Sequence, residues 1–202
     1  MSRLIGPNRS VLDCGCSSGK IAGLLARQGS RVTGIEMNPD RAAQAEASCE
    51  RVIRGDLTAP ETWAQLQGKS FNVILLSHVL EHVTDPLQVI RNALRHLVSG
   101  GRVVAVLPNV ANWRIRLQLL LGRWEYQAEG ILDRTHLRFY TLDTAAQFLR
   151  SAGLEIQQVH VVLQPASGGT GRRAAVRALR RLLPPAFLAV SMIFDTRVSA
   201  QG

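Results

Sequence analysis

The chain has 202 residues, enough for one domain with a substantial core, and 46% of them are hydrophobic. Its formal net charge of +9 concerns partners and solubility rather than fold. The longest nearly apolar stretch, residues 182–194, is too short to span a bilayer, and no signal-peptide core follows the first residue. The three cysteines form no C-x-x-C pair and no even disulfide set, which fits reduced thiols. We therefore predict a single cytoplasmic domain over residues 1–202.

The first two thirds of the chain alternate short apolar runs with amphipathic segments. Helical patterns cover residues 20–28, 38–48, 85–101 and 141–153, and several begin at a capping residue or end at glycine. Strand-like runs rich in Val, Ile and Leu cover residues 10–14, 31–35, 51–55, 71–77 and 102–108. Strands joined by helical crossovers predict an α/β, Rossmann-like, doubly wound sheet that is mostly parallel.

The pattern changes after residue 153. Residues 154–163 and 187–198 read as two more strands, which predicts a seven-stranded sheet with an antiparallel C-terminal edge pair. Between them, residues 164–185 read as a loop and a basic amphipathic helix. The helix, at 172–183, carries several arginines on one face. It fits contact with an anionic membrane surface, or packing on the sheet with arginines outward.

The loop after the first strand combines an acidic residue with two glycines. Asp13 ends the strand, and Gly15 and Gly19 follow it. A pyrophosphate would be repelled by Asp13, whereas a ligand with positive charge would be attracted. Glu36 ends the second strand, where a carboxylate commonly accepts both ribose hydroxyls, and Asp56 follows the third strand within reach of an exocyclic amine. Three acids in this arrangement predict a binding site for S-adenosylmethionine.

The chain resembles the class I S-adenosylmethionine-dependent methyltransferases. The matching pieces are "LDCGCSSG", "GIEMNPD", "RGDL", and "NVILLSHVLEHVTDP" followed by "SGGRVVAVLPN", in family order over residues 10–160. The segment "NVANWRIRLQLLLGRWEYQAEGILDRTHLRFYT" resembles a bacterial group that often accompanies glycosyltransferases. It is also similar to methyltransferase-like proteins linked to methionine biosynthesis.

The resemblance implies a set of cofactor-binding residues at the strand ends. The first loop would hold the methionine part, the end of the second strand the ribose with one flank of the adenine, and the end of the third strand the adenine, while two residues would line the end of the fourth strand. The implied residues are Asp13, Gly15, Cys16, Ser17, Gly19, Glu36, Met37, Asp56, Leu57, Ser77 and His78.

Acceptor-side candidates come from two later segments. His82 and His136 are candidate general bases, because histidine titrates near neutrality, although His82 also fits helix packing. Arg134 and Arg138 are candidates for clamping an acidic substrate group, or members of a salt-bridged loop. Trp113 belongs to a helical stripe that fits either a core helix or a lid, and residues 109–140 are predicted to be a lid or acceptor insertion.

We predict an enzyme that methylates oxygen or nitrogen of a small-molecule or saccharide acceptor, with S-adenosylmethionine as its cofactor. Two alternatives stay open: a cofactor-binding regulatory subunit of a partner enzyme, and an RNA methyltransferase. Nucleic acid is the less favoured partner, because no appended RNA-binding motif is visible. No metal site is predicted, since Cys14 and Cys16 lack further ligands at suitable spacing. The basic helix predicts a cytoplasmic protein peripheral to the inner membrane.

Overall fold

A computed structural model describes residues 1–163 and 183–199. Its strands form one seven-stranded sheet in the order β3-β2-β1-β4-β5-β7-β6. The first five strands are parallel, and β7 runs antiparallel to both β5 and β6, which confirms the predicted fold class. The strands are β1 (Ser10–Cys14), β2 (Arg31–Glu36), β3 (Arg51–Arg54), β4 (Phe71–Ser77), β5 (Leu97–Pro108), β6 (Leu154–Leu163) and β7 (Ala189–Val198).

Several of the helices begin where the sequence supplies a capping side chain. Asn38, Asp85 and Thr141 each accept a hydrogen bond from a backbone N–H of the helix that follows. No helix within residues 1–163 and 183–199 is both long and apolar enough to cross a membrane. The helices are α1 (Ser2–Ile5), α2 (Lys20–Ala26), α3 (Pro39–Ala45), α4 (Pro60–Ala64), α5 (Pro86–Leu94), α6 (Trp113–Leu120), α7 (Leu142–Ser151) and α8 (Pro185–Leu188).

Hydrophobic side chains cover both faces of the sheet. Neighbouring residues of β1 belong to different clusters: Leu12 packs in the larger one and Val11 in the smaller one. The larger cluster receives residues from α5 and α7, and the smaller one from α1 and α2. This alternation explains why the strands read as apolar on both faces.

Three sequence predictions need correction. The helix predicted over 85–101 ends at Leu94, because Leu97 pairs with Phe71 and starts β5. The last strand begins at Ala189 rather than at 187, since Pro185–Leu188 form a helical turn. A short helix, α4, was not predicted. The basic helix predicted at 172–183 falls, except for its last residue, in residues 164–182, outside the described part of the chain.

Candidate active site

The carboxyl ends of β1, β2, β3 and β4 meet at one edge of the sheet. The loop after β1 packs closely against Val79 and Ala45 there. Gly15 has φ +77°, and a Cβ on it would collide with Val79 Cγ2, beyond the end of β4. Gly19 caps α2 with φ +75°, and a Cβ there would lie 2.9 Å from Ala45 Cα. Both positions therefore require glycine.

Glu36 is fixed by the loop after β1. It is buried, its Oε2 accepts the Ser17 N–H at 2.9 Å, and its Oε1 accepts the Asn38 N–H at 2.8 Å. These bonds leave a further lone pair on each oxygen, so the carboxylate can still accept hydroxyl donors. The predicted ribose acceptor is thus oriented by backbone amides at the strand end.

Asp13 is a buried carboxylate without a partner. It is 1% exposed, and neither oxygen has a hydrogen-bond partner among the described residues. Burial, and secondarily the charge of Glu36, raises the pKa of Asp13 to about 7. Since protein covers both oxygens, any effect of Asp13 on a ligand would be exerted through its charge. Such an uncompensated carboxylate suits a cationic ligand such as a sulfonium.

Side chains at the ends of β2 and β3 form the predicted adenine side. Met37 is 71% exposed, whereas Leu57 is buried and its carbonyl accepts the Trp63 Nε1–H at 2.8 Å. Asp56 is exposed, and its Oδ1 accepts the Thr58 N–H at 2.8 Å. Asp56 therefore makes the local turn that the residue type favours, and its second oxygen is left for a ligand.

Cys16 adds its thiol to a pocket under the same loop. A Cβ on Gly34 would collide with Cys16 Sγ and lie 3.2 Å from Cys49 Sγ, so the two thiols share one small space. Their mutual hydrogen bond raises the pKa of Cys16 and lowers that of Cys49. Both thiols are free, and the contribution of Cys16 to the upper face of the loop is its backbone.

The turn after β4 connects the cofactor loop to the acceptor side. Ser77 is half-buried at the end of the strand, and exposed His78 has φ +56° and donates its backbone N–H to the Val106 carbonyl at 3.0 Å. His78 Nδ1 lies 3.0 Å from Glu81 Oε1. Glu81 itself is fully buried, and its Oε2 has no partner in residues 1–163 or 183–199.

Residues 131–140 bind this turn through several hydrogen bonds. The backbone N–H groups of Leu137 and Arg138 donate to the Glu81 carbonyl at 2.8 and 3.2 Å. The Arg138 guanidinium donates to the carbonyls of Val83 and Thr84 at 2.8 and 2.7 Å. Arg138 therefore anchors the segment to the turn. Of the two predicted substrate arginines, exposed Arg134 is the one better placed to meet an acidic acceptor.

The two predicted general-base candidates lie next to each other. The rings of His82 and His136 are 4.7 Å apart between centroids and nearly perpendicular. One carboxylate oxygen of Glu81 and one ring nitrogen of each histidine lie within 4.8 Å of one another. Glu81 was missed by the sequence analysis, although it lies inside the quoted "SHVLEHV" motif. A buried acid between two histidines was the available signal.

Helix α6 does not pack as a core helix. Ile115 is its one buried side chain, while Trp113 is 37% exposed and Leu120 is 82% exposed. The core-helix alternative is therefore wrong, and the lid alternative stays a prediction. Under α6 lies a cavity of about 420 Å³, lined partly by Ile115, Ile131 and Leu132. The Ile131 carbonyl is within hydrogen-bond distance of His136, so the cavity adjoins the histidine pair.

A second cavity, of about 400 Å³, lies at the opposite edge of the sheet. Its lining includes Ser10, Arg31 and Arg51, which begin β1, β2 and β3. Ligands of open α/β sheets bind beyond the carboxyl ends of the strands. We therefore place the active site at the edge that carries Asp13 and Glu36.

Comparison with known proteins identifies the family and the fold. Residues 1–159 match the family described as a methyltransferase domain. The chain is 31% identical over 167 residues to a ubiquinone biosynthesis O-methyltransferase of Xanthomonas campestris pv. campestris (strain B100), covering 80% of this chain and 69% of that protein. It is 33% identical over 158 residues to the protein of that name from Pseudomonas putida (strain W619), covering 75% and 66%.

Solved structures share the architecture at lower identity. A SAM-dependent methyltransferase from Archaeoglobus fulgidus superposes with a TM-score of 0.66 at 17% identity, covering 95% of this chain and 87% of that one. Magnesium protoporphyrin IX methyltransferase from Synechocystis, crystallised with SAH, gives 0.64 at 14% identity, covering 96% and 75%. The similarity to these solved structures supports the fold, and the match to the family supports the activity. The chain belongs to the methyltransferase-domain family, which confirms the prediction of an enzyme that uses S-adenosylmethionine.

Proposed function

We propose that this methyltransferase transfers the methyl group of S-adenosylmethionine to a hydroxyl oxygen of a small, partly apolar acceptor. The observation that carries the proposal is the cluster of Glu81, His82 and His136. It lies in and beside the turn whose Val79 packs against the loop after β1, and His136 bonds to Ile131 of the cavity lining. A hydroxyl must lose its proton as the methyl group arrives, so an oxygen acceptor needs such a cluster more than an amine does.

The cofactor supplies the electrophilic methyl group, and the chain holds and orients it. Asp13 offers negative charge near the cationic end, and the oxygens of Glu36 accept the ribose hydroxyls. Met37 and Leu57 flank the adenine, and the free oxygen of Asp56 accepts from its amine. The absence of a side chain at Gly15 lets the loop pack against Val79, which fixes the backbone that faces the cofactor.

The acceptor end has a mixed lining. Arg114 and Gln118 are polar residues of the cavity lining, while Ile115, Leu132 and Val162 offer apolar surface. This composition suits an amphiphilic molecule, such as a hydroxylated aromatic ring, better than a fully polar saccharide. The relatives named above are O-methyltransferases of ubiquinone biosynthesis, which is the same class of chemistry.

The test is methyl transfer from isotopically labelled S-adenosylmethionine to a panel of acceptors, followed by mass spectrometry. The panel contains catechols and hydroxybenzoates, aromatic amines, and simple saccharides. We expect methylation of the hydroxylated aromatic compounds on oxygen. Methylation of amines or saccharides alone would overturn the proposed acceptor class. Cofactor binding without transfer to any member would instead favour a regulatory, cofactor-binding subunit.

A further inference from the structure

We infer that Glu81, His82 and His136 form a binding site for one divalent transition-metal ion beside the site of methyl transfer. No metal was predicted from the sequence, where only Cys14 and Cys16 were considered as ligands; Glu81 and His82 are adjacent, but His136 lies more than 50 residues further along the chain. The part of the inference that concerns catalysis rests on the proposed function. The binding of the ion does not, and it can be tested alone.

The first argument is geometric. A carboxylate oxygen and two ring nitrogens, one from each residue, lie within 4.8 Å of one another, close enough to converge on one ion with small side-chain movements. Glu81 is 0% exposed and His136 is 8% exposed, so two of the three ligands are held by packing. Exposed His82 leaves the cluster open to solvent and to a substrate.

The second argument is the unpartnered oxygen of Glu81. Its Oε1 is within 3.0 Å of His78 Nδ1, which accounts for that oxygen. Its Oε2 is buried and has no hydrogen-bond partner in the described part of the chain. A buried polar atom left without a partner costs free energy, so an occupant that supplies positive charge would remove that cost.

The third argument is the protonation of His136. Its Nδ1 lies 3.0 Å from the carbonyl oxygen of Ile131. A carbonyl can only accept, so this nitrogen carries the proton and Nε2 carries the lone pair. A metal-binding histidine typically donates its other ring N–H to a carbonyl or carboxylate, which fixes the ring and its tautomer.

His82 is oriented in the same way through a longer chain of bonds. Its Nδ1 lies 3.0 Å from Thr135 Oγ1, and that hydroxyl donates to Asp133 Oδ1 at 2.7 Å. Because the hydroxyl proton is already used, Thr135 accepts from the His82 Nδ1–H. The lone pair of His82 is then on Nε2. Asp133 and Thr135 thus act as positioning residues for a ligand nitrogen.

The alternative is a purely structural cluster, in which Glu81 pairs with His78 and the two imidazoles pack edge to face. That reading accounts for Oε1 and for the contact between the rings. It leaves Oε2 and both Nε2 atoms without a role, although every other polar atom of the cluster is paired. Nor does Arg138 neutralise Glu81, because its guanidinium donates to the carbonyls of Val83 and Thr84.

The ligand set indicates the class of ion. Two imidazoles and one carboxylate suit Zn²⁺, Co²⁺, Fe²⁺ or Mn²⁺, whereas Mg²⁺ and Ca²⁺ prefer oxygen ligands. Three protein ligands leave positions for water or for an oxygen of the acceptor. A hydroxyl bound there loses its proton more readily, which produces the nucleophile that methyl transfer to oxygen requires.

The experiment measures metal binding directly. Chelator-treated full-length protein is titrated with Zn²⁺ by calorimetry and with Co²⁺ by visible absorption, in the wild type and in His82→Ala, Glu81→Gln and Thr135→Val. His160→Ala is the control, because His160 is exposed on β6 and bonds to Gln158. S-adenosylmethionine affinity is measured in parallel, so that misfolding of a variant is recognised.

We expect one equivalent of ion in the wild type and in His160→Ala. We expect at least 10-fold weaker binding in His82→Ala and Glu81→Gln, and roughly 10-fold weaker binding in Thr135→Val, as for loss of a residue that orients a ligand. Cofactor affinity should be unchanged in His82→Ala. Equal Zn²⁺ binding by the wild type and His82→Ala would place the ion elsewhere on the protein and overturn the site. A wild type that methylates an acceptor yet binds neither ion would overturn the site and leave the proposed function intact.

Discussion

Replacing Asp13 by Asn should stabilise the ligand-free protein at pH 8 and weaken its binding of S-adenosylmethionine. Burial raises the pKa of Asp13 from 3.8 to about 7. Between these values the folded protein holds a proton that the unfolded chain has released, so the free energy of unfolding falls as pH rises through this window. Above pH 7 the loss is complete, and the difference of about 3 pH units corresponds to about 4 kcal/mol.

The Asn side chain is not ionised, so it avoids this cost, and at low pH it replaces a protonated carboxyl group that is just as buried and unpartnered. We therefore expect a net gain of about 4 kcal/mol at pH 8 and little change at pH 4. Urea unfolding at pH 5 and pH 8 measures the change. The difference between variant and wild type should shift by about 2–3 kcal/mol between these pH values. A difference that does not vary with pH would show that Asp13 does not titrate as its burial implies.

The remaining predictions concern the cofactor and the acceptor. Wild-type affinity for cationic S-adenosylmethionine should rise with pH to about 7 and then level off, because Asp13 must ionise to attract the cation. The rise should be smaller for S-adenosylhomocysteine, and equal pH profiles of the two affinities in calorimetry would contradict this. Glu36→Ala should cost about 1.5–3 kcal/mol of cofactor binding in calorimetry, with unchanged affinity refuting its ribose role. Gly15→Ala should lower the melting temperature more than Gly68→Ala, because Gly68 shares the positive φ but has no neighbour within 4 Å; equal losses would exclude the Val79 collision. Leu120 is 82% exposed, so Leu120→Gln should change stability by about 0.5 kcal/mol or less, yet it should raise the KM for the acceptor. An unchanged KM would argue against α6 as a lid.

The sequence was sufficient for the strands and for bringing the three acids to one end of the parallel sheet. Apolar runs marked β1 to β5, and parallel pairing then put Asp13, Glu36 and Asp56 at one edge. These predictions succeeded because each depends on local composition and on the direction of the strands.

Other features depend on contacts between distant residues. Leu97 continues the helical spacing of α5, yet pairing with Phe71 makes it a strand residue. The leucines of α6 have the spacing of a packed helix, but periodicity does not say what covers a face, and Leu117 and Leu120 are exposed. His82 and His136 meet because residues 131–140 fold back onto the turn after β4. No local pattern in the chain specifies that return.

The turn after β4 links the two halves of the reaction. Val79 supports the cofactor loop at Gly15, and the Glu81 carbonyl holds the backbone of Leu137 and Arg138. Under the proposed function, the positions of the methyl group and of the acceptor therefore both depend on the five residues 78–82. Because in-line transfer is sensitive to displacements of about 1 Å, changes in this turn should reduce kcat more than cofactor affinity. The buried carboxylate of Glu81 belongs to the same turn, so under the proposed function one short segment would position both the acceptor oxygen and the cofactor loop.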